Sequence, residues 1–205
     1  MDSASRIPGL HAIAITDHDC IEGALEAARY AESSRSPLQV IVGEEVSSRD
    51  GHIVGLFLRE LVNPDMSAHD TIEAIHEQKG LAVAVHPFRR PGREGVAALA
   101  ASLPFDAVET MNGAPTPRAR AANRRTSRLH VQGKAVTGGS DAHLRQMLAA
   151  CATAHPGAGP LDFREAVAGC RTWPVRRRVN LLPYLAHAGA KVAGNPRALA
   201  ELLPF

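Results

Sequence analysis

The strongest constraint on the fold is a series of short apolar segments rich in β-branched residues, at 10–16, 38–43, 52–58, 81–86, 106–112 and 134–139. Their length and composition are typical of buried strands. Helical patterns lie between most of them, at 21–33, 67–79, 93–102 and 117–132, and in the second of these Ser67 is the expected N-cap and Gly80 the residue just past the end. Strands that alternate with helices predict an α/β fold with a mostly parallel sheet, either open or closed as a barrel.

The length of the chain sets its domain organisation. With 205 residues, of which 45% are hydrophobic, it can bury one sizeable core, and we expect a single domain over residues 1–205. The sequence has neither a run of about eighteen apolar residues nor an N-terminus with the layout of a secretory signal. We therefore expect a soluble cytoplasmic protein without a membrane partner.

Charge and cysteine content exclude other classes of protein. The net charge of +2 is too small to indicate a nucleic-acid surface, and the basic segments 118–128 and 171–178 are expected to be solvated faces. The thiols Cys20, Cys151 and Cys170 lack CxxC spacing, so neither a disulfide framework nor a zinc ribbon is indicated.

Polar residues cluster where the predicted strands end. The motifs are TDHD at 16–19, GEE at 43–45, HPFRR at 86–90, MNG at 111–113 and GSDAH at 139–143. In α/β barrels the C-terminal ends of the strands converge on one mouth, and active sites lie there. This pattern predicts an enzyme whose site is built from the loops after the strands.

The residue types in these motifs indicate a metal site. Imidazoles and carboxylates together bind Mn²⁺, Zn²⁺ or Fe²⁺, and the lack of thiolates favours a catalytic cluster over a closed structural zinc site. The candidate ligands by residue type are Asp17, His18, Glu44, Glu45, His52, His86, Asp141 and His143.

The order of the motifs is more specific than any one of them. The chain contains, in this order, TDHD, GEE with a histidine seven residues after its last glutamate, VHPFR, VETMNG and GGSDAH. In this order of motifs the chain resembles the polymerase and histidinol phosphatase (PHP) family over residues 9–153. The resemblance implies a distorted (β/α)7 TIM-like barrel that binds one to three divalent metal ions. It also implies hydrolysis of a phosphate ester, in a nucleotide, a short oligonucleotide or a small phosphomonoester.

The resemblance implies a role for each ligand. His18 and His143 look like ligands of one outer metal, and either could act as the general acid that protonates the leaving group. Glu45, rather than its neighbour Glu44, looks like the carboxylate that bridges two metals.

The remaining ligands belong to the other two sites. His52 and His86 look like the imidazoles that complete a second site with Glu45. Asp141 looks like a ligand of a third site, together with Glu45. In the implied mechanism a metal-activated hydroxide attacks phosphorus.

One departure from the family limits these expectations. Family members begin with a strand that ends in HxH, and no HxH occurs in these 205 residues. Either an upstream start was missed or the chain was truncated, which we expect, or the protein lost its first βα unit; in each case the 205 residues form a barrel without that unit. Such a barrel exposes two sheet edges, for which a second copy of the chain in a homo-oligomer is the expected cover.

Other residues of the motifs have weaker signals. Arg89, Arg90 and Asn112 are candidate substrate-binding residues, although loop arginines are usually solvated and an asparagine before glycine often serves a turn. Asp17 is expected to orient a ligand or cap the following helix, and Glu109 to be structural. The histidines assigned to the surface or to packing are His11, His69, His76, His130, His155 and His187.

The sequence therefore predicts a metal-dependent phosphoesterase, with two alternatives. The first is an impaired module that binds one metal through Glu45, His52 and His86 and has a structural or regulatory role. The second is a metal hydrolase that acts on a C–N or another bond, since such a barrel does not fix the scissile bond.

Overall fold

The computed structural model of the chain describes residues 2–129 and 131–178. Its main sheet is curled into a half-barrel with strands in sequence order: β1 (Ala12–Ile15), β2 (Gln39–Ser48), β3 (Gly51–Leu56), β4 (Leu81–Ala84), β5 (Ala107–Asn112) and β6 (Ala135–Gly139). A second sheet pairs β7 (Cys151–Ala154) with β8 (Trp173–Arg176). The helices are α1 (Asp2–Ser5), α2 (Glu22–Ser33), α3 (Ala68–Glu77), α4 (Leu99–Ser102), α5 (Pro117–Thr126) and α6 (Pro160–Ala168), with a 3₁₀ turn at Arg145–Met147.

The main sheet is mixed rather than mostly parallel. Pairs β1–β2, β4–β5 and β5–β6 are parallel, but β3 is antiparallel to both β2 and β4. Only Arg49 and Asp50 separate β2 from β3, and so short a connection can join only antiparallel strands. The class is therefore α/β and consistent with a TIM-like fold, while the count of seven βα units stays a prediction.

The predicted helices agree with the structure to different degrees. The first three turns of the pattern at 67–79 form α3, and Ser67 is its N-cap, with its hydroxyl accepting from the N–H of Asp70. The helix predicted at 93–102 was wrong over most of its length, because Gly95 packs against the backbone of Pro87 and the N–H of Ala97 donates to the Pro87 carbonyl. The helix predicted at 117–132 ends at Thr126.

Two clusters of buried apolar side chains pack against the sheet, one on each face. On one face, Val46, Ile53 and Val108 pack with Ile72 and Ile75 of α3. On the other, Ile41, Val54 and Val83 pack with α6 through Phe163 and Val167. Strands β7 and β8 were not predicted from the sequence, since their apolar runs are short. Helices long and apolar enough to span a bilayer are absent from residues 2–129 and 131–178.

Candidate metal centre

The hairpin of β2 and β3 brings Glu45 and His52 together. Glu45 pairs with Val54 and His52 with Ser47, so the two side chains lie diagonally on one face of neighbouring strands. Nδ1 of His52 lies 2.8 Å from Oε1 of Glu45. The GEE motif thus lies inside β2, not after it as the sequence suggested, because β2 continues to Ser48 to pair with β3.

His86 approaches the same carboxylate from the end of β4. It follows the strand with a positive φ of 30°, and only 3% of the residue is exposed. Its Nε2 lies 3.1 Å from Oε1 of Glu45, and its N–H donates to Oε2 of Glu109 at 2.8 Å. Nδ1 of His86 is buried without a hydrogen-bond partner among the described residues.

His18 completes the group from the loop after β1. A parallel bridge pairs its backbone with Glu45, and its Nε2 lies 3.7 Å from Oε2 of that carboxylate. Its ring meets the ring of His52 edge-on, with centroids 4.7 Å apart. The side chain is 48% exposed, so His18 forms the solvent side of the cluster.

The electrostatics of the cluster favour a charged carboxylate. Burial would raise the pKa of Glu45, but hydrogen bonds from His52 and His86 outweigh it and hold the pKa well below its usual range. Burial would lower the pKa of His86, but the bond to Glu45 prevails and raises it. The site therefore keeps its negative charge and attracts protons or a cation.

These residues fit a divalent metal ion. His18, Glu45 and His52 each offer a ligand atom, and these atoms lie within 4.8 Å of one another. His86 faces the same carboxylate through Nε2, and its Nδ1 is buried without a hydrogen-bond partner among the described residues. Imidazole and carboxylate together form the donor set that Zn²⁺, Mn²⁺ and Fe²⁺ accept, and a protonated imidazole would release its proton on binding the metal.

The other two predicted ligands lie apart from this group. Asp141, with a positive φ of 48°, turns its Oδ2 to Arg89 and to Nδ2 of Asn112, the latter at 3.3 Å. His143 is 74% exposed, and its Nδ1 lies 3.1 Å from the carbonyl oxygen of Asp141. Neither joins a cluster of metal-ligand atoms within residues 2–129 and 131–178. Their metal roles stay predictions.

The candidate substrate-binding residues are already engaged. Arg89 donates through Nε to Oε2 of Glu94 at 2.6 Å, and Arg90 donates to Oε1 of Glu94 at 2.9 Å. Asn112 ends β5 and is 1% exposed, with its backbone N–H and carbonyl held by the amide of Asn123 at 3.0 and 2.9 Å. Glu94 and Asn123 carried no signal in the sequence, because neither belongs to the motifs at the strand ends.

Glu44 and Asp17 were candidate ligands by residue type alone. Glu44 is fully buried, and its Oε2 accepts from the N–H of Val62 at 2.9 Å, away from the cluster. Asp17 does not cap α2, since the N-cap is Ile21, which makes no side-chain cap hydrogen bond. A Cβ added at Gly23 would lie only 2.9 Å from Oδ2 of Asp17.

Glu109 is the buried acid behind the cluster. Its Oε2 accepts from the N–H of His86 and from Nδ2 of Asn112, at 2.8 and 3.1 Å. Burial raises its pKa to about 7. Glu109 therefore holds the backbone of one predicted ligand without facing Glu45 itself.

The remaining histidines lie outside the centre. His76 contacts Asp106 at 2.9 Å, His155 packs near the ring of Phe163, and His69 lies in an exposed group with Asp70 and Glu73. His130 and His187 lie outside the described residues. Cys20, Cys151 and Cys170 are free thiols.

Comparison with known proteins relates part of the chain to a family. A family model described as PHP-associated matches residues 120–169, which include α6, where the sequence patterns were least informative. An uncharacterised protein of Methanocaldococcus jannaschii is 36% identical over 104 residues, 51% of this chain and 59% of that protein. The chain thus aligns with about three fifths of the length of this curated relative.

Two solved structures share the fold. One is a two-domain protein of Bacteroides vulgatus containing a predicted PHP-like metal-dependent phosphoesterase, with TM-score 0.59, 19% identity and coverage of 85% of this chain and 60% of that one. The other is PsfC of Pseudomonas syringae, with TM-score 0.61, 20% identity and coverage of 97% and 87%. These comparisons do not favour an impaired module. The family match and the shared fold support a protein of the PHP-domain family.

Proposed function

We propose that the chain is a metal-dependent phosphoesterase that hydrolyses a nucleotide, a short oligonucleotide or a small phosphomonoester. The observation that carries the proposal is the convergence of three imidazoles on one carboxylate. His52 and His86 lie 2.8 and 3.1 Å from one oxygen of Glu45, and His18 lies 3.7 Å from the other. These four residues would hold Mn²⁺, Zn²⁺ or Fe²⁺.

Each residue has a separate task in the reaction. A divalent metal supplies Lewis acidity, which lowers the pKa of water towards about 7 and offsets charge on the phosphoryl oxygens. His86 is buried, the side chain of Glu45 is only 12% exposed, and hydrogen bonds hold both, so they would keep their geometry without reorganisation. His18 lies at the exposed side, and where it does not bind the metal it would protonate the leaving alkoxide; His143 is the second candidate.

Of the two candidate arginines, Arg90 is the more accessible to a substrate phosphate. Arg90 is 32% exposed and paired with Glu94, whereas Arg89 is 18% exposed and bound to two carboxylates. Asn112, at 1% exposed, is too deeply buried to contact a substrate in this conformation. Arg90 is therefore the better of the predicted phosphate contacts.

The test is Mn²⁺-dependent phosphate release by the purified chain from phosphomonoesters, nucleoside 3′,5′-bisphosphates and short RNA. We expect release from at least one class, and loss of it in His86→Ala. The matched control is His11→Ala, which removes an exposed imidazole at the start of β1. Equal rates in the wild type and His86→Ala, or no release from any class, would contradict the proposal.

A further inference from the structure

The carboxylate of Asp141 already has a cation inside the protein. Its Oδ2 accepts from Nη1 of Arg89, and the same guanidinium donates through Nε to Glu94 at 2.6 Å. The side chains of Arg89 and Asp141 are only 18% and 11% exposed. A planar guanidinium that joins two carboxylates in this way is a fixed, partly buried charge.

This charge stands where the family resemblance implies a metal. Burial would lower the pKa of Arg89, but Asp141 and Glu94 prevail and raise it, so the guanidinium keeps its proton. A divalent ion at Asp141 would meet a positive charge at contact distance, with little solvent to screen the repulsion. Asp141 does not fit a metal while Arg89 is in place.

We infer that Arg89 is the resident cation of Asp141, and that the chain confines its divalent metal to the cluster of His18, Glu45, His52 and His86. The inference rests on the metal centre of the proposed function but departs from the ligand set that the resemblance implied. It narrows the expected number of ions, which was one to three, to one.

Arg89 also supports the centre through one of its strands. The carboxylate of Glu94 holds both Arg89 and Arg90, and the carbonyl of Glu94 accepts from the N–H of His52 at 2.9 Å. The guanidinium thereby fixes the loop against which His52 is placed. Arg89 acts on this ligand as a positioning residue.

The same guanidinium supports the second strand by a longer route. Asp141, held by Arg89, accepts a hydrogen bond from Nδ2 of Asn112. The same amide donates to Glu109, and the Glu109 carboxylate also accepts from the N–H of His86. A continuous set of polar contacts thus runs from Arg89 to His86. Such partners behind the ligands set their orientation.

The decisive experiment is the number of Mn²⁺ ions bound by the 205-residue chain, measured by equilibrium dialysis with elemental analysis. Wild type and Asp141→Asn are expected to bind one ion each, and Glu45→Gln none. Two or more ions on the wild type, or loss of the ion in Asp141→Asn with retention in Glu45→Gln, would overturn the inference alone. No ion on the wild type would also remove the metal centre of the proposed function.

A second measurement tests the ion pair without metal. In a chelator, Arg89→Gln and Asp141→Asn are each expected to lower the melting temperature, since each removes one partner of the Arg89–Asp141 ion pair. The double variant should lower it by less than the sum of the two, and Arg89→Lys by less than Arg89→Gln. Strictly additive shifts would show that the two groups do not form the pair, and the inference would fail.

Discussion

Glu44 and Glu45 are adjacent in β2, yet their carboxylates lie on opposite faces of the sheet. Glu45 reaches His52 on the face that includes its register partner Val54. Glu44 is fully buried on the other face, where it accepts from the N–H of Val62 in the cluster that contains α3. The two-residue period of a strand separates a metal ligand from a structural acid by one position.

This separation predicts different effects for matched substitutions. Glu45→Gln removes the charge that the three imidazoles share, and we expect Mn²⁺ affinity to fall by more than the roughly 10- to 100-fold typical of residues behind metal ligands. Glu44→Gln keeps an acceptor for Val62 and should leave the affinity near wild type. Isothermal titration calorimetry measures the Mn²⁺ affinity of both variants, and a similar loss of affinity in the two would contradict the assignment.

Gly139 is required because Glu109 occupies the space beside it. A Cβ at Gly139 would lie 2.4 Å from Oε1 of Glu109. The other oxygen of this carboxylate, Oε2, accepts from the N–H of His86 and from Nδ2 of Asn112, which hold the side chain in place. Gly139→Ala should cost about 1–3 kcal/mol in the free energy of unfolding and weaken Mn²⁺ binding, because the displaced carboxylate releases the N–H of His86.

The matched control is Gly159→Ala, where the nearest atom would lie 3.7 Å from the added Cβ. This variant should bind Mn²⁺ as the wild type does. Denaturant unfolding and metal titration of both variants check the prediction. Normal metal binding in Gly139→Ala would show that Glu109 does not hold His86 in place.

The buried carboxyl of Glu109 makes stability depend on pH. Burial raises its pKa from 4.5 to about 7, so the folded protein binds this proton more tightly than the unfolded chain. The stabilising contribution is full below about pH 4.5 and is lost as the pH rises towards about 7, by an amount on the order of 3 kcal/mol.

Glu109→Gln removes this titration. In metal-free buffer, its free energy of unfolding minus that of the wild type should therefore rise between about pH 4.5 and 7 and stay constant above. Urea unfolding across this range measures the difference. A difference that does not change with pH would mean that Glu109 has an ordinary pKa.

The N-cap of α3 contributes to stability without touching the centre. The hydroxyl of Ser67 accepts from the N–H of Asp70 at 3.1 Å. Ser67→Ala should cost about 1 kcal/mol, and Ser33→Ala, at an exposed C-terminal position of α2, within about 0.5 kcal/mol. Chemical unfolding measures both, and metal affinity should not change in either. An equal cost in the two variants would remove the capping role.

Local pattern was sufficient for much of the fold. The six apolar segments all form strands of the main sheet, and Ser67 caps α3 as expected, because burial, period and capping are properties of neighbouring residues. The end of α3 is less well predicted, since the helix stops at Glu77 with Gln78 as its C-cap, two residues before the end that Gly80 indicated. The order of the motifs likewise indicated the family, which the PHP-associated match and the shared fold support.

Other features depend on residues that are distant along the chain. The helix expected at 93–102 gave way to a turn because Gly95 lies against Pro87. The antiparallel pairing of β3 with β4 also joins distant residues, whereas its pairing with β2 follows from the two-residue connection. The type of a side chain also does not say which partner it will find. Asp141 and Arg89 are 52 positions apart.

The sequence by itself determined the six strands of the main sheet, the helices α2, α3 and α5, and the supply of imidazoles and carboxylates. Tertiary structure decided how they were grouped: His18, His52 and His86 meet at Glu45, whereas Asp141 pairs with Arg89. The physical reason is that a buried carboxylate must be neutralised by whichever donor or cation the fold brings within contact. Only the three-dimensional arrangement fixes that choice.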